Sequence, residues 1–173
     1  MSERTDVIKM HGNPLTLIGN ELNVGDAAPD FTVLDDSLQP VKLSDFKGKT
    51  VVVTSVPSLD TGTCDAMGRR FNQEATAMGD SVQVLTISMD LPFAQKRWCG
   101  AAGIENMKVL SDYRDAEFGE AFGVLIKELR LLARTVFVVD KEGVVKYIQY
   151  VEETSEEPNY DEAITAVKKI VEG

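Results

Sequence analysis

Two cysteines, one histidine and one tryptophan are all that 173 residues contain of these types, and no Cys-x-x-Cys pair is present. With His11 alone beside two separated thiols, a four-ligand zinc site has no candidate set. No apolar run approaches the roughly 18 residues of a membrane span; Val51-Val52-Val53 and Val136-Phe137-Val138-Val139 have the length of strands. Positive charge is scarce as well, 18 Lys and Arg against 28 Asp and Glu, a net charge of −10. That field repels phosphate backbones and anionic lipid headgroups, so neither nucleic acid nor a membrane surface is an expected partner. Met1-Ser2-Glu3-Arg4-Thr5-Asp6 has no apolar stretch behind its charges, so no secretory leader is expected and the cytoplasm is the expected location. Linkers, repeats and low-complexity tracts are absent. With 43% hydrophobic residues, the chain reads as one domain over 1–173, of a size that buries roughly 70% of its unfolded surface.

Periodicity supplies the elements. Val7-Ile8-Lys9-Met10, a His-Gly-Asn-Pro turn and Leu15-Thr16-Leu17-Ile18 read as a hairpin. A short pair follows at Phe31–Leu34 and Val41–Leu43, and Thr50–Val56 is a β-branched run suited to a central strand covered on both faces, stopped by Pro57. Met67, Phe71, Ala75 and Met78 then fall on one helical face, closed by Gly79-Asp80. Val82–Ser88 reads as a buried strand and Leu91–Ala102 as a helix with Pro92 in its first turn and Gly103 at its end. Strands at Met107–Leu110, Thr135–Val139 and Val144–Tyr150, a short helix at Ala116–Phe122 and a last helix from about Tyr160 to Val171 complete the list. Alternating strands and helices with a late hairpin indicate an α/β fold with a mixed sheet; a thioredoxin-like order fits without being singled out. From Glu152 onward seven acidic residues face only Lys168 and Lys169, which reads first as a solvated acidic surface.

In a reducing cytosol, Cys64 and Cys99 need not form a structural disulfide, and buried inert thiols are the plain reading. The context of Cys64 argues against it. It stands where a buried strand has ended and an amphipathic helix begins, where unpaired first-turn N–H groups and the helix dipole both favour thiolate over thiol. Thr61, three residues earlier, can bring its hydroxyl into the same space, donating to the thiolate while accepting from a protonated oxygen. That pairing would hold a hydroperoxide in line for attack.

Pro57, Thr61 and Cys64 form Pro-x-x-x-Thr-x-x-Cys, a spacing met by chance at about one cysteine in 400. The chain here resembles the peroxiredoxins. Ala28-Pro29-Asp30-Phe31 and Val41–Lys49 are similar to that family's approach to its first core strand. Pro92–Gly100, Arg130–Asp140 and Glu157-Pro158-Asn159-Tyr160 narrow the likeness to the bacterial thiol peroxidases, and it covers essentially the whole chain.

The resemblance implies a thioredoxin-like α/β fold, with a central mixed β-sheet flanked by helices and an N-terminal β-hairpin. It implies that Cys64 is the peroxidatic cysteine, attacking H₂O₂ or an alkyl hydroperoxide and becoming a sulfenic acid. Thr61 would orient thiolate and peroxide, the backbone N–H of Cys64 would help hold the peroxide, Pro57 would shield the pocket and Thr63 would line it. Arg134 would stabilise the thiolate and the leaving oxygen; on residue grounds alone, an arginine opening a strand reads as a solvated surface charge. Cys99 would resolve the sulfenic acid as an intramolecular disulfide, with thioredoxin as reductant. A homodimer is implied, and no metal or organic cofactor. Because the two cysteines fall on different helices, both helix starts are expected to unwind in each cycle, eased by Gly62, Gly68 and Gly100. Arg69 and Arg70 are expected in structural ion pairs, Asp60 and Asp65 pointing away from the thiol or capping, His11 exposed, and Trp98 in packing. Rival readings are a thiol–disulfide oxidoreductase without its Cys-x-x-Cys, a redox sensor forming the same disulfide, and a binding module with inert thiols.

Overall fold

The computed structural model describes residues 2–172, in two sheets. The strands are β1 (Glu3–Met10), β2 (Asn13–Ile18), β3 (Thr32–Leu34), β4 (Pro40–Lys42), β5 (Thr50–Ser55), β6 (Val82–Ser88), β7 (Met107–Ser111), β8 (Leu125–Ile126), β9 (Leu131–Leu132), β10 (Thr135–Val139) and β11 (Val145–Tyr150). The helices are α1 (Gly62–Met78), α2 (Pro92–Ala102), α3 (Glu117–Ala121) and α4 (Tyr160–Glu172), with a 3₁₀ turn at Leu43–Phe46. Among the described residues no helix is long and apolar enough to cross a membrane.

Seven strands in the order β11-β10-β5-β6-β7-β3-β4 make the central sheet. Its β5-β6-β7 core is parallel, and β10, β11, β3 and β4 join it antiparallel, so the sheet is mixed as expected. Every residue of β5 is buried. Alternation sorts the two faces: Val51, Val53, Leu85, Ile87 and Phe137 pack with Phe31, Phe118 and Phe122 on one side. Val52, Val84, Val136 and Val138 pack with Cys64, Met67 and Phe71 of α1 and Ala163 and Val167 of α4 on the other. Two covered faces explain why the strands read as continuous apolar runs.

The N-terminal hairpin departs from the expected layout. It turns on two residues, His11 and Gly12, both with positive φ (50° and 82°), so Asn13 and Pro14 belong to β2. It also lies outside the central sheet, in a four-stranded sheet β1-β2-β8-β9. Strands β8 and β9 have two residues each, too short for alternation to mark them.

Helix ends follow local chemistry. Thr61 caps α1, and Gly79 with φ 80° ends it. α2 has Pro92 at its start and the left-handed Gly103 at its end. No side chain caps α3 at Ala116; instead the buried Asp112 accepts from the N–H groups of Phe118 (3.1 Å) and Gly119 (2.8 Å). Asn159 caps α4 by accepting from the Glu162 N–H (3.0 Å).

Candidate active site

Strand β5 ends at Ser55, and its continuation Val56-Pro57 stays buried before the chain turns outward at Ser58. This turn is held from the end of β6. The Asp90 carboxylate accepts from the Ser58 hydroxyl (2.7 Å), the Leu59 N–H (2.9 Å) and the Ser88 hydroxyl (2.6 Å). Asp90 stands two residues before α2, and Gln95 in the first turns of that helix is buried, donating to Ser88 Oγ (3.0 Å) and the Leu110 carbonyl (2.8 Å). One carboxylate thus fixes both the approach to α1 and the entry to α2. Its position just past the carboxyl end of a parallel strand is where α/β sheets place their sites.

Cys64 is the third residue of α1 and is fully buried. Its N–H donates to Thr61 Oγ1 at 3.3 Å, and the Thr61 hydroxyl donates to the Ser58 carbonyl at 3.2 Å. Both are at the long end of the hydrogen-bond range. The hydroxyl expected to point at sulfur is therefore engaged as a helix cap, with the Cys64 N–H as its partner. Thr63 donates to the Ser155 carbonyl (3.0 Å), which brings the loop after β11 over the start of α1.

Arg134 is the clearest departure from an ordinary strand-end arginine: it is 2% exposed. Its Nε and Nη2 both donate to the Thr154 carbonyl, at 3.1 and 2.9 Å. Its Nη1 lies 3.6 Å from the sulfur of Met67, one turn along α1 from Cys64. Among the described residues no carboxylate forms an ion pair with it. A buried guanidinium stays charged, and leaving it without an anion costs several kcal/mol. Among the fully buried residues of this cluster the group that can become an anion is the Cys64 sulfur, while the half-buried Tyr160 at its margin also feels the Arg134 charge.

Cys99 lies near the end of α2, half-buried at the margin of the cluster that contains Cys64, and both thiols are free. Burial first, and the charge of Asp36 second, push its thiol up to about 11. Its neighbour Trp98 donates from the indole N–H to Asp65 Oδ1 at 2.6 Å. The ring lies on Gly68, where an added Cβ would stand 2.7 Å from Trp98 Cη2. Gly68, expected to ease unwinding of α1, also leaves the room in which α2 docks. Gly62 and Gly100 face open space, so no close approach requires them.

Asp65 points at Trp98 and Arg69 (2.9 Å), bonds that hold its carboxyl below the usual range, Arg69 contributing most. Arg70 pairs with Glu74 (2.9 Å) and lies over the Tyr160 ring at 4.7 Å. Both arginines have structural partners, as expected, and His11 is exposed in its turn. Thus Pro57, Thr61, Thr63 and Cys64 come together at the start of α1, Arg134 reaches the same helix through Met67, and Cys99 waits at the edge.

Known proteins give this arrangement a family. A model described as Redoxin matches residues 23–164. The thiol peroxidase of Bacillus subtilis is 58% identical over 164 residues, which is 95% of this chain and 98% of that protein. The chain belongs to the thiol peroxidases of the redoxin family. The thiol peroxidase of Halalkalibacterium halodurans is 57% identical over 161 residues, 93% of this chain and 96% of its own. A crystal structure of a peroxiredoxin-like protein from Aquifex aeolicus superposes with a TM-score of 0.89 at 44% identity, covering 95% of this chain and 97% of that one. The fold is thioredoxin-like α/β, and the protein is a peroxidase.

Proposed function

We propose that this peroxidase reduces H₂O₂ and alkyl hydroperoxides through Cys64. As a thiolate, its sulfur attacks the terminal oxygen. An S–O bond forms, the O–O bond breaks, and the departing oxygen takes a proton and leaves as water or alcohol. Cys64 becomes a sulfenic acid. Arg134 supplies fixed positive charge to the thiolate and then to the departing oxygen, at no reorganisation cost because its fork is already held. Thr61 orients the peroxide by exchanging its weak bonds to Ser58 and Cys64 N–H for bonds to substrate and sulfur. That exchange frees the Cys64 N–H to help hold the peroxide. Pro57 keeps water out, and Thr63 lines the entrance.

Cys99 then attacks the Cys64 sulfenic acid, an S–S bond forms and water leaves. A dithiol reductant, thioredoxin, returns both thiols and becomes oxidised itself. The protein acts in antioxidant defence as a homodimer, in the reducing cytoplasm expected from its sequence. The observation that carries this reading is the buried Arg134, without a carboxylate partner among the described residues and packed on the turn that follows Cys64. Mass spectrometry after one equivalent of peroxide tests it: the expected product has lost two hydrogens and contains one cross-linked peptide pair, Cys64 to Cys99. An unmodified Cys64, or an oxygen retained on it with Cys99 free, would contradict the cycle.

A further inference from the structure

Arg134 is aimed by a single carbonyl, that of Thr154, which takes both Nε and Nη2. Thr154 lies in the irregular segment between β11 and α4, and its own hydroxyl, though buried, has no hydrogen-bond partner among the described residues. Nothing on its side chain sets where that carbonyl points. The fixing contacts come from the tip of the N-terminal hairpin. Lys9 pairs on both sides of the segment, its N–H donating to the Glu152 carbonyl (2.7 Å) and its carbonyl accepting from the Thr154 N–H (2.9 Å). Between them, both oxygens of Glu153 are taken by consecutive backbone N–H groups of the turn, His11 at 2.8 Å and Gly12 at 3.1 Å. Positive φ at both turn residues turns these two N–H groups toward one carboxylate. The Ser155 hydroxyl closes the clamp on Glu153 Oε1 at 3.2 Å, while the Ser155 carbonyl holds Thr63.

We propose that Glu153, gripped by the hairpin turn, is a positioning residue for the active-site arginine. The chain of contacts runs from His11 and Gly12 to Glu153, through the backbone of Thr154 and Ser155, to Arg134 and Thr63. The hairpin, which makes no contribution to the central sheet, is thereby part of the active site's support. Glu153 stays on the solvated acidic surface expected of this segment, but its carboxylate is gripped by backbone N–H groups. Donation from His11 first, and from Gly12, holds its carboxyl below the usual glutamate range. No other carboxylate from Glu152 onward accepts a backbone N–H among the described residues; the cap of α4 is the Asn159 side chain.

The inference rests on the reading of Arg134 as the site's cation, and a double-mutant cycle separates the two. The measured quantity is the second-order rate constant for oxidation of Cys64 by H₂O₂, for Glu153→Ala, Glu153→Gln, Arg134→Met and the Glu153→Ala/Arg134→Met pair. Glu153→Ala is expected to slow oxidation about tenfold, and Glu153→Gln, which keeps one acceptor oxygen, by less. In the Arg134→Met background Glu153→Ala should change the rate less than twofold, a loss of effect that general destabilisation would not produce. A wild-type rate for Glu153→Ala beside a slow Arg134→Met overturns the role of Glu153 alone. An undiminished Glu153→Ala effect without Arg134 also overturns it. A wild-type rate for Arg134→Met overturns the reading of the site, and this inference with it.

Discussion

Replacing Trp98 by Phe should make the disulfide form faster without changing how Cys64 meets peroxide. In the resting fold α2 is docked on α1 by the indole bond to Asp65 (2.6 Å) and by the ring on Gly68. Phe keeps most of the ring contact and removes the bond. A hydrogen bond to a charged acceptor contributes about 1.5–3 kcal/mol, and sharing Asp65 with Arg69 near the surface favours the lower figure. A loss of about 1.5 kcal/mol shifts the docked–undocked equilibrium roughly tenfold. In the proposed cycle undocking is the productive step, because the docked Cys99 thiol is pushed up to about 11 and release toward 9.0 raises its thiolate fraction about a hundredfold. Disulfide formation in Trp98→Phe should therefore be about ten times faster than in the wild type. Rapid mixing with one equivalent of peroxide, alkylation at timed intervals and peptide mass analysis give the rate. The wild type carries its own reporter, since Trp98 is the only tryptophan and its fluorescence should change as the disulfide forms. A folded Trp98→Phe protein whose disulfide forms within twofold of the wild-type rate would refute the latch.

Arg134→Met should slow the peroxide reaction by about 10²–10³, the usual cost of removing one preorganised donor. Arg134→Lys should not restore it, because an ammonium cannot span the Thr154 carbonyl and the site as the fork does; stopped-flow oxidation rates check both. Gly68→Ala should lower stability by about 1–3 kcal/mol in chemical denaturation, since the new Cβ meets a rigid indole. It should also speed disulfide formation by lifting α2. Asp112, whose carboxyl burial pushes up to about 6 against its N–H bonds from Gly119 and Phe118, binds a proton in the folded state that the unfolded chain releases near 3.8. Its contribution is therefore most favourable below about pH 4 and declines as the pH rises to about 6. Relative to Asp112→Asn, the wild type should lose about 3 kcal/mol across that window and nothing further above it, measured by denaturant midpoints against pH.

Much of this was legible in the sequence, for identifiable reasons. Buried strands such as β5 and β6 are long enough for composition to mark them, and α1, α2 and α4 have end signals in Thr61, Pro92, Gly79 and Gly103 or a clear apolar face. Cys64 stood out because its position at a strand-to-helix junction carries chemistry on its own. Other features were hidden because they depend on residues distant in the chain. The two-residue strands β8 and β9 exist only through pairing with β2 and each other. Arg134 reads as a surface charge until the fold buries it under Thr154. Gly68 reads as a weak point in a helix until Trp98 is placed upon it. Asp90 and Glu153 were lost among many acidic residues, because only the fold brings Ser58, Leu59, His11 and Gly12 to their oxygens.

In the proposed reaction a fully buried sulfur at the start of α1, on the helix that packs against a guanidinium without a carboxylate partner among the described residues, breaks an O–O bond. The most direct measurement is the second-order rate constant of Cys64 with H₂O₂ at neutral pH in Cys99→Ser, followed by trapping of the sulfenic acid. Stoichiometric oxidation of Cys64 by one equivalent is expected, at a rate several orders of magnitude above that of free cysteine. A rate no greater than free cysteine's in the folded protein would contradict it.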